Sequence, residues 1–259
     1  MPTSPRPIPP GSPSPRLSFV IPAHDEAPLI AACLEAIHAA AGGHAHDVHA
    51  HDVHGYEVLV VDDASTDATA AVAQAHGARV LPVAHRQIAA VRNAGARATR
   101  GEVLVFVDAD TRFTPDVVAA ALSALEAGAV GGGCAVRFDD ARWHERVFTA
   151  LVMQAFRFAG IAPGCFLFCT RAAFEAAGGF DERLYAAEDV ALSRALADIG
   201  RFVILREHVV TSDRKLRTFG LLAHLRLALH LLLRGRRVLE SREHLGLWYA
   251  TRRHKPPRS

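Results

Sequence analysis

The segment VLVFVDADT places two aspartates, Asp108 and Asp110, one residue apart after a run of apolar residues. Alternate residues of an extended chain point the same way, so both carboxylates can face one ligand. Carboxylate oxygens are hard ligands that suit Mg²⁺ or Mn²⁺, and Mg²⁺ usually fills its other positions with water and substrate phosphates. Such a short pattern is weak evidence alone. At the end of a strand in a parallel sheet, it predicts a divalent-metal site.

A second acidic pair, Glu188 and Asp189, lies in AAEDVAL at the start of a helical pattern. The positive end of a helix dipole keeps a carboxylate ionised, and an ionised carboxylate that faces a hydroxyl can accept its proton. Plain N-capping is the alternative, because aspartate is common at that position. The pair alone does not decide between a general base and a cap.

The elements that must position these acids alternate regularly in the first half of the chain. Four apolar segments, LSFVI, EVLVV, ARVLPV and EVLVFV, are separated by stretches with helical spacing of apolar residues. This alternation indicates a parallel sheet covered by helices on both faces. Ligands of such sheets bind beyond the carboxyl ends of the strands. Asp62 and Asp63 close the second strand and Asp108 closes the fourth, so these acids lie where a ligand is expected.

Beyond Ala129 the pattern becomes mixed. A glycine-rich strand, AVGGGCAVRF, precedes a helix around Trp143 to Phe158, and GCFLFCT precedes a short helix from Arg171 to Ala177. One continuous α/β domain with a more irregular second half accounts for this order of elements.

Two other classes of enzyme resemble parts of this pattern. Haloacid-dehalogenase-like phosphatases also place an aspartate pair after an apolar strand, but with DxDxT spacing. Here Thr111 follows Asp110 directly, and three strands precede the motif. A nucleotidyltransferase would need a glycine-rich, basic loop after the first strand, whereas PAHDEA contains no glycine. Both patterns are therefore poor matches.

The two ends of the chain differ from its body. Residues 1–16 hold seven of the fourteen prolines, which predicts a disordered tail. Residues 214–259 carry twelve Lys and Arg against two acidic residues, which predicts a basic helical extension. Its segment 214–237 fits either peripheral contact with an anionic membrane surface or a helix packed on the domain. No nucleic-acid recognition motif accompanies the charge, so no nucleic-acid partner is expected.

The cysteine content favours a reducing compartment. The four cysteines form no CxxC pair, and four in 259 residues do not make a disulfide framework. We expect buried, reduced thiols in a cytoplasmic protein. If 214–237 binds lipid, the protein would lie peripherally on the cytoplasmic membrane face.

Five segments in order make the chain resemble family 2 glycosyltransferases with the GT-A fold: FVIPAHDEA, VLVVDDASTD, VRNAGARATRGEVLVFVDADT, GCFLFCTRAAFEAAGGFDE and AEDVALSRAL. The resemblance covers residues 17–205. It implies a GT-A domain over 17–213, with a Rossmann-like, mostly parallel sheet flanked by helices, before the basic extension 214–259. It also implies a UDP- or GDP-type sugar donor and Mg²⁺ or Mn²⁺ as cofactor.

The resemblance also assigns roles to individual residues. The metal would be held by Asp110 and Asp108, with His208 as a further ligand. Asp189, with Glu188 beside it, would be the general base of an inverting transfer. The residues near the donor nucleotide would be Pro22, Ala23, Glu26, Asp62, Asp63, Arg92, Asn93 and Asp108.

Two features qualify the resemblance. Asp25-Glu26 stands where the family often has Asn-Glu, which adds negative charge near the diphosphate. The family's processive synthases carry a QxxRW motif and several transmembrane helices, and neither is found here. We therefore expect one sugar per encounter, transferred to a small or lipid-linked acceptor. The alternative is a non-catalytic nucleotide-sugar-binding or scaffolding protein at the membrane surface.

A histidine-rich tandem repeat, AHDVHAHDVH, lies in residues 44–54 between the first helix and the second strand. This loop is expected to be remote from the carboxyl ends of the strands, and loops tolerate insertions. Its imidazoles could take up Zn²⁺ or Ni²⁺ adventitiously. Deleting residues 45–49 is expected to leave activity nearly unchanged in a turnover assay. A large loss of activity would show that the histidines are functional.

Overall fold

The structure is a computed structural model that describes residues 16–42, 55–139, 143–158 and 160–212. Apart from Arg16, the predicted tail 1–16 lies outside these ranges, as do the histidine repeat 44–54 and the basic extension 214–259. Within the described ranges, no helix has both the length and the apolar character needed to cross a membrane.

The described residues alternate between strands and helices in nearly the predicted order. The strands are β1 (Leu17–Ala23), β2 (Tyr56–Asp63), β3 (Arg79–Val83), β4 (Val103–Val107), β5 (Thr111–Arg112), β6 (Gly131–Phe138), β7 (Phe166–Thr170) and β8 (Phe202–Thr211). The helices are α1 (Ile30–Gly42), α2 (Thr69–Ala75), α3 (Ile88–Ala98), α4 (Pro115–Glu126), α5 (Trp143–Phe158), α6 (Arg171–Ala176) and α7 (Glu188–Ile199).

All eight strands belong to one sheet with the order β3-β2-β1-β4-β7-β6-β8-β5. The first four strands pair in parallel. β7 then runs antiparallel to both β4 and β6, while β6 and β8 are again parallel. The prediction of an α/β fold with a mostly parallel sheet is confirmed, and the mixed pairing explains the less regular sequence beyond Ala129.

The core has two parts because alternate strand residues point to opposite faces of the sheet. In β1, Leu17, Phe19 and Ile21 pack in one buried cluster, which also contains apolar residues of α1 and α4. Val20 packs in the other cluster, together with residues of α3 and α7. The central strands are therefore covered on both faces, which requires the continuous apolar runs seen in the sequence.

Candidate functional site

The predicted donor residues lie together at the carboxyl edge of the parallel strands. Pro22 and Ala23 end β1 and pair with Val61 and Asp62 of β2. Asp63 is the last residue of β2, and both aspartates are largely buried. β4 lies on the other side of β1 and ends one residue before Asp108. Parallel pairing thus brings separate motifs to one edge.

Arg92 connects this edge to the second acidic motif. Its side chain lies on α3 and is 3% exposed. Nη2 donates to Asp108 Oδ1 at 2.8 Å and to the Gly164 carbonyl oxygen at 3.1 Å. Nη1 donates to Glu188 Oε1 at 2.8 Å. One guanidinium therefore joins the Asp108 motif to the start of α7.

The charge balance around Arg92 is strongly acidic. Burial alone would lower the pKa of Arg92, but the charges of Asp108, Glu188 and Asp189 outweigh it and raise that pKa above its usual value. The guanidinium carbon also lies 5.2 Å from the centroid of the Phe180 ring. A single buried cation therefore interacts with three carboxylates.

The pKa of Asp189 is higher than its position at the start of a helix predicts, which corrects the expectation that the helix dipole keeps this carboxylate ionised. Burial and then the charge of Glu188 raise the pKa of Asp189 to about 7, against the opposing effects of Arg92 and of the Val190 and Gly164 amides. A base whose pKa lies near neutral pH combines a useful ionised fraction with good proton affinity.

Asp189 is not the N-cap residue of α7. The N-cap position of α7 belongs to Ala187, whose backbone is left-handed with φ 59° and whose side chain makes no capping hydrogen bond. Asp189 lies within the first turn, and its Oδ1 accepts a hydrogen bond from the Val190 amide at 2.8 Å. The carboxylate is therefore not the ordinary cap that the sequence left open as an alternative.

Gly164 lies against both Arg92 and Asp189 and was not identified from the sequence. A Cβ added there would lie 3.1 Å from Arg92 Nη2 and 3.2 Å from Asp189 Oδ2. Only glycine leaves the guanidinium and the carboxylate undisturbed in their present positions. The one sequence signal was a glycine directly before the apolar segment CFLFCT.

The predicted metal ligands are only partly brought together. Burial raises the pKa of the Cys33 thiol, and the charges of Asp110 and Asp108 add to this effect, so both carboxylates lie near one thiol. Thr211 Oγ1 donates to Asp110 Oδ1 at 3.0 Å. His208 lies on β8 three residues before Thr211, so its side chain points to the opposite strand face.

The donor set fits a hard divalent cation. Two carboxylates beside an edge that is expected to hold a diphosphate match the preference of Mg²⁺ and Mn²⁺ for oxygen ligands. Across the described ranges, no three His, Cys, Asp or Glu side chains are grouped closely enough to bind a metal by themselves. Asp108 and Asp110 as ligands, with His208 as a third, stay a prediction.

The loops after β1, β2 and β3 are held by hydrogen bonds to one another. Asp63 Oδ1 accepts from the Arg86 amide at 3.0 Å, and Asp62 Oδ1 accepts from the Ser65 amide at 3.3 Å. The Glu26 amide donates to Thr69 Oγ1 at 2.9 Å. These contacts position the predicted nucleotide residues and leave their role toward a nucleotide as a prediction.

Three residues at the carboxyl edge of the parallel strands have strained backbone conformations. Asp25, Ala64 and Arg86 have φ of 54°, 54° and 52°, a left-handed conformation that non-glycine residues rarely adopt. Each follows a different strand of the parallel half. Strained conformations of this kind cost about 1–3 kcal/mol each and concentrate at functional sites. Arg86 was not identified from the sequence, because nothing in its local pattern signals this conformation.

Asn93 has a positioning role in the structure. Its Nδ2 donates to the Phe180 carbonyl oxygen at 2.9 Å and to Glu182 Oε1 at 2.8 Å, and its Oδ1 accepts from the Phe180 amide at 2.9 Å. Gln87 Nε2 donates to the Leu184 carbonyl oxygen at 2.8 Å. Both residues hold the segment that leads into α7. Contact between Asn93 and the nucleotide stays a prediction.

Comparison with known families agrees with this geometry. The family model described as Glycosyl transferase family 2 matches residues 18–174. The chain belongs to this family. It is a glycosyltransferase, so the prediction of an enzyme is confirmed and the non-catalytic alternative is not supported. The matched range ends before α7, so the role of Asp189 rests on the geometry described above.

Solved glycosyltransferases share the fold of this chain. TarS 1-349 of S. aureus is 15% identical with a TM-score of 0.59, over 90% of this chain and 77% of that chain. Mannosyltransferase PcManGT of Pyrobaculum calidifontis, solved with GDP-Man and Mn²⁺, is 22% identical with a TM-score of 0.60, over 92% and 74%.

Glucosyl-3-phosphoglycerate synthase of Mycobacterium tuberculosis, solved with Mn²⁺, UDP and glucosyl-3-phosphoglycerate, is 20% identical with a TM-score of 0.56, over 83% and 79%. At these identities the likeness establishes the GT-A fold alone. No curated protein sequence gives a significant match.

Replacing Arg92 with Lys in this glycosyltransferase is expected to lower kcat/KM by about tenfold to a hundredfold. Lysine has no planar fork, so it cannot donate to Asp108 and Glu188 together, and a hydrogen bond to a charged group contributes about 1.5–3 kcal/mol. The measurement is the rate of nucleotide release at matched donor concentrations.

Arg171→Lys is the matched control. Arg171 also donates to three groups, the Gly101 and Ala96 carbonyl oxygens and Thr99 Oγ1, which lie away from the acidic motifs. It should alter stability without a selective loss of activity. Equal losses in both variants would contradict the proposed link between Arg92 and the site.

The acid side of the pH profile should report Asp189. Because its pKa is raised to about 7, kcat/KM is expected to fall about tenfold per pH unit below that value as the base becomes protonated. Glu188→Gln removes one of the charges that raise this pKa, so its acid limb should lie at lower pH. An acid limb near pH 4 in the unaltered enzyme would contradict the assignment.

Proposed function

We propose that the protein transfers a glycosyl group from a nucleotide-diphosphate sugar to a hydroxyl acceptor, with inversion at the anomeric carbon. The observation that carries this proposal is the buried Arg92 bridge, which joins Asp108 at the donor edge to Glu188 beside Asp189. This contact would hold the proposed donor site and the proposed base next to each other.

The donor is proposed to lie across the carboxyl ends of β1, β2 and β4. Pro22, Ala23 and Glu26 would border the nucleotide. Asp63, with Asp62 beside it, would read the base, and Asp108 would face the ribose. Solved structures of this fold contain GDP-Man, UDP and UDP-GlcNAc, which supports a UDP- or GDP-type donor.

Asp110 and Asp108 would hold a divalent cation, Mg²⁺ or Mn²⁺, together with the diphosphate. When bound, such an ion offsets the negative charge that develops on the departing nucleotide diphosphate. Neighbouring structures that contain Mn²⁺ support this choice. His208 stays the proposed third ligand, although its side chain points to the strand face opposite Thr211.

Asp189 would take the proton of the acceptor. The acceptor oxygen forms a bond to the anomeric carbon from the face opposite the diphosphate, the bond from that carbon to the diphosphate oxygen breaks, and the hydroxyl proton passes to the Asp189 carboxylate. The raised pKa of Asp189 supports this step. We propose one transfer per encounter, to a small or lipid-linked acceptor.

Replacing Asp189 with Asn is expected to reduce transfer by about a hundredfold to ten-thousandfold, the usual contribution of a general base. Nucleotide release would be measured over a panel of UDP and GDP sugars with Mn²⁺ or Mg²⁺, and donor binding by calorimetry should be largely retained. Asp198→Asn, on the exposed side of the same helix, is the control. Transfer that survives Asp189→Asn would remove Asp189 as the base.

A further inference from the structure

Helix α5 presents a row of large apolar side chains to solvent. Val147, Leu151 and Phe158 are 53%, 67% and 84% exposed. Their separations of four and seven residues are close to whole helical turns, so the three side chains lie along one face. Met153 packs against the core. We call Val147, Leu151 and Phe158 the α5 stripe.

The α5 stripe differs from ordinary surface hydrophobic residues. Single exposed apolar side chains are common, and Ile199 at the end of α7 is one, at 43% exposure. An aligned group is different, because contiguous apolar surface usually marks a site of contact. The first residue of α5, Trp143, is also 78% exposed. We therefore expect an apolar partner to cover the α5 stripe.

We propose that the partner is the chain's own apolar segment Phe219–Leu233, and that this segment packs along the α5 stripe. The path of the chain supports this choice. Thr211, near the end of the described chain, pairs with Phe138, and the Asp139 amide donates to the Thr211 carbonyl oxygen at 3.3 Å. α5 begins only four residues after Asp139, so the chain leaves β8 close to the start of α5.

Length and composition match as well. The six residues 213–218 can span about 20 Å when extended, which reaches the start of α5 and beyond. The segment FGLLAHLRLALHLLL has fifteen residues, or about 22 Å as a helix, and the stripe rises about 16 Å from Val147 to Phe158. The segment is rich in leucine, so it can bury the exposed side chains of the stripe.

Tethering favours this partner over an external one. A segment joined by a short linker meets its site at an effective concentration of order millimolar. A second copy of the chain at micromolar concentration competes poorly with it. The inference goes beyond the proposed transfer reaction and does not depend on it.

Hydrogen exchange on the full-length chain tests the proposal. In the unaltered protein, amides of 219–233 should exchange slowly. Leu151→Ser should speed their exchange by about tenfold or more, because burial of a leucine side chain contributes at least that factor to the closed state. Ile199→Ser is the matched control and should leave 219–233 unchanged. Unaltered exchange in β1 and β4 would show that both variants remain folded.

Three results would overturn the proposal. The first is fast exchange of 219–233 in the unaltered protein, or exchange that Leu151→Ser does not change. The second is a dimer in sedimentation that Leu151→Ser dissociates, since a second copy would then cover the stripe. The third is flotation with anionic phospholipid vesicles that Leu151→Ser abolishes while exchange in 219–233 without vesicles stays the same, since lipid would then be the partner.

Discussion

The buried guanidinium of Arg92 is the charge on which the rest of the site depends. Moving an ion out of water costs several kcal/mol, and only close opposite charges and hydrogen bonds offset that cost. Asp108 and Glu188 supply these contacts, and Gly164 supplies a third acceptor. Without the cation, the acidic motifs would repel each other at the same edge. The arginine thus allows them to be close.

The two halves of the sheet contribute different parts of the site. The parallel strands β1, β2, β3 and β4 deliver aspartates to a shared edge, because parallel strands end on the same side. The antiparallel strand β7 then returns beside β4, and the segment before it brings Gly164 against Arg92. Gln87 and Asn93 hold the segment that leads into α7. The irregular half of the fold therefore supplies the proposed base.

Several residues around the site adopt backbone conformations that their types do not favour. Three loop residues and Ala187 adopt left-handed conformations without being glycine, which the surrounding hydrogen bonds must enforce. Ala187 directly precedes Glu188 and Asp189, so its left-handed conformation helps to set the direction of these two carboxylates. The site thus depends on stability supplied by the two apolar clusters around the sheet.

The α/β class, the order of the elements in the first half and the acids at the strand ends can all be predicted from the sequence. These features follow from the periodicity of apolar residues and from the rule that ligands bind beyond the carboxyl ends of parallel strands. The pairing of Arg92 with Glu188, 96 positions away, and the crowding that a side chain at Gly164 would cause are visible only in the folded chain. The tertiary structure also placed His208 on the opposite strand face and raised the pKa of Asp189. Burial and long-range contacts set these properties, and no local pattern in the chain encodes them.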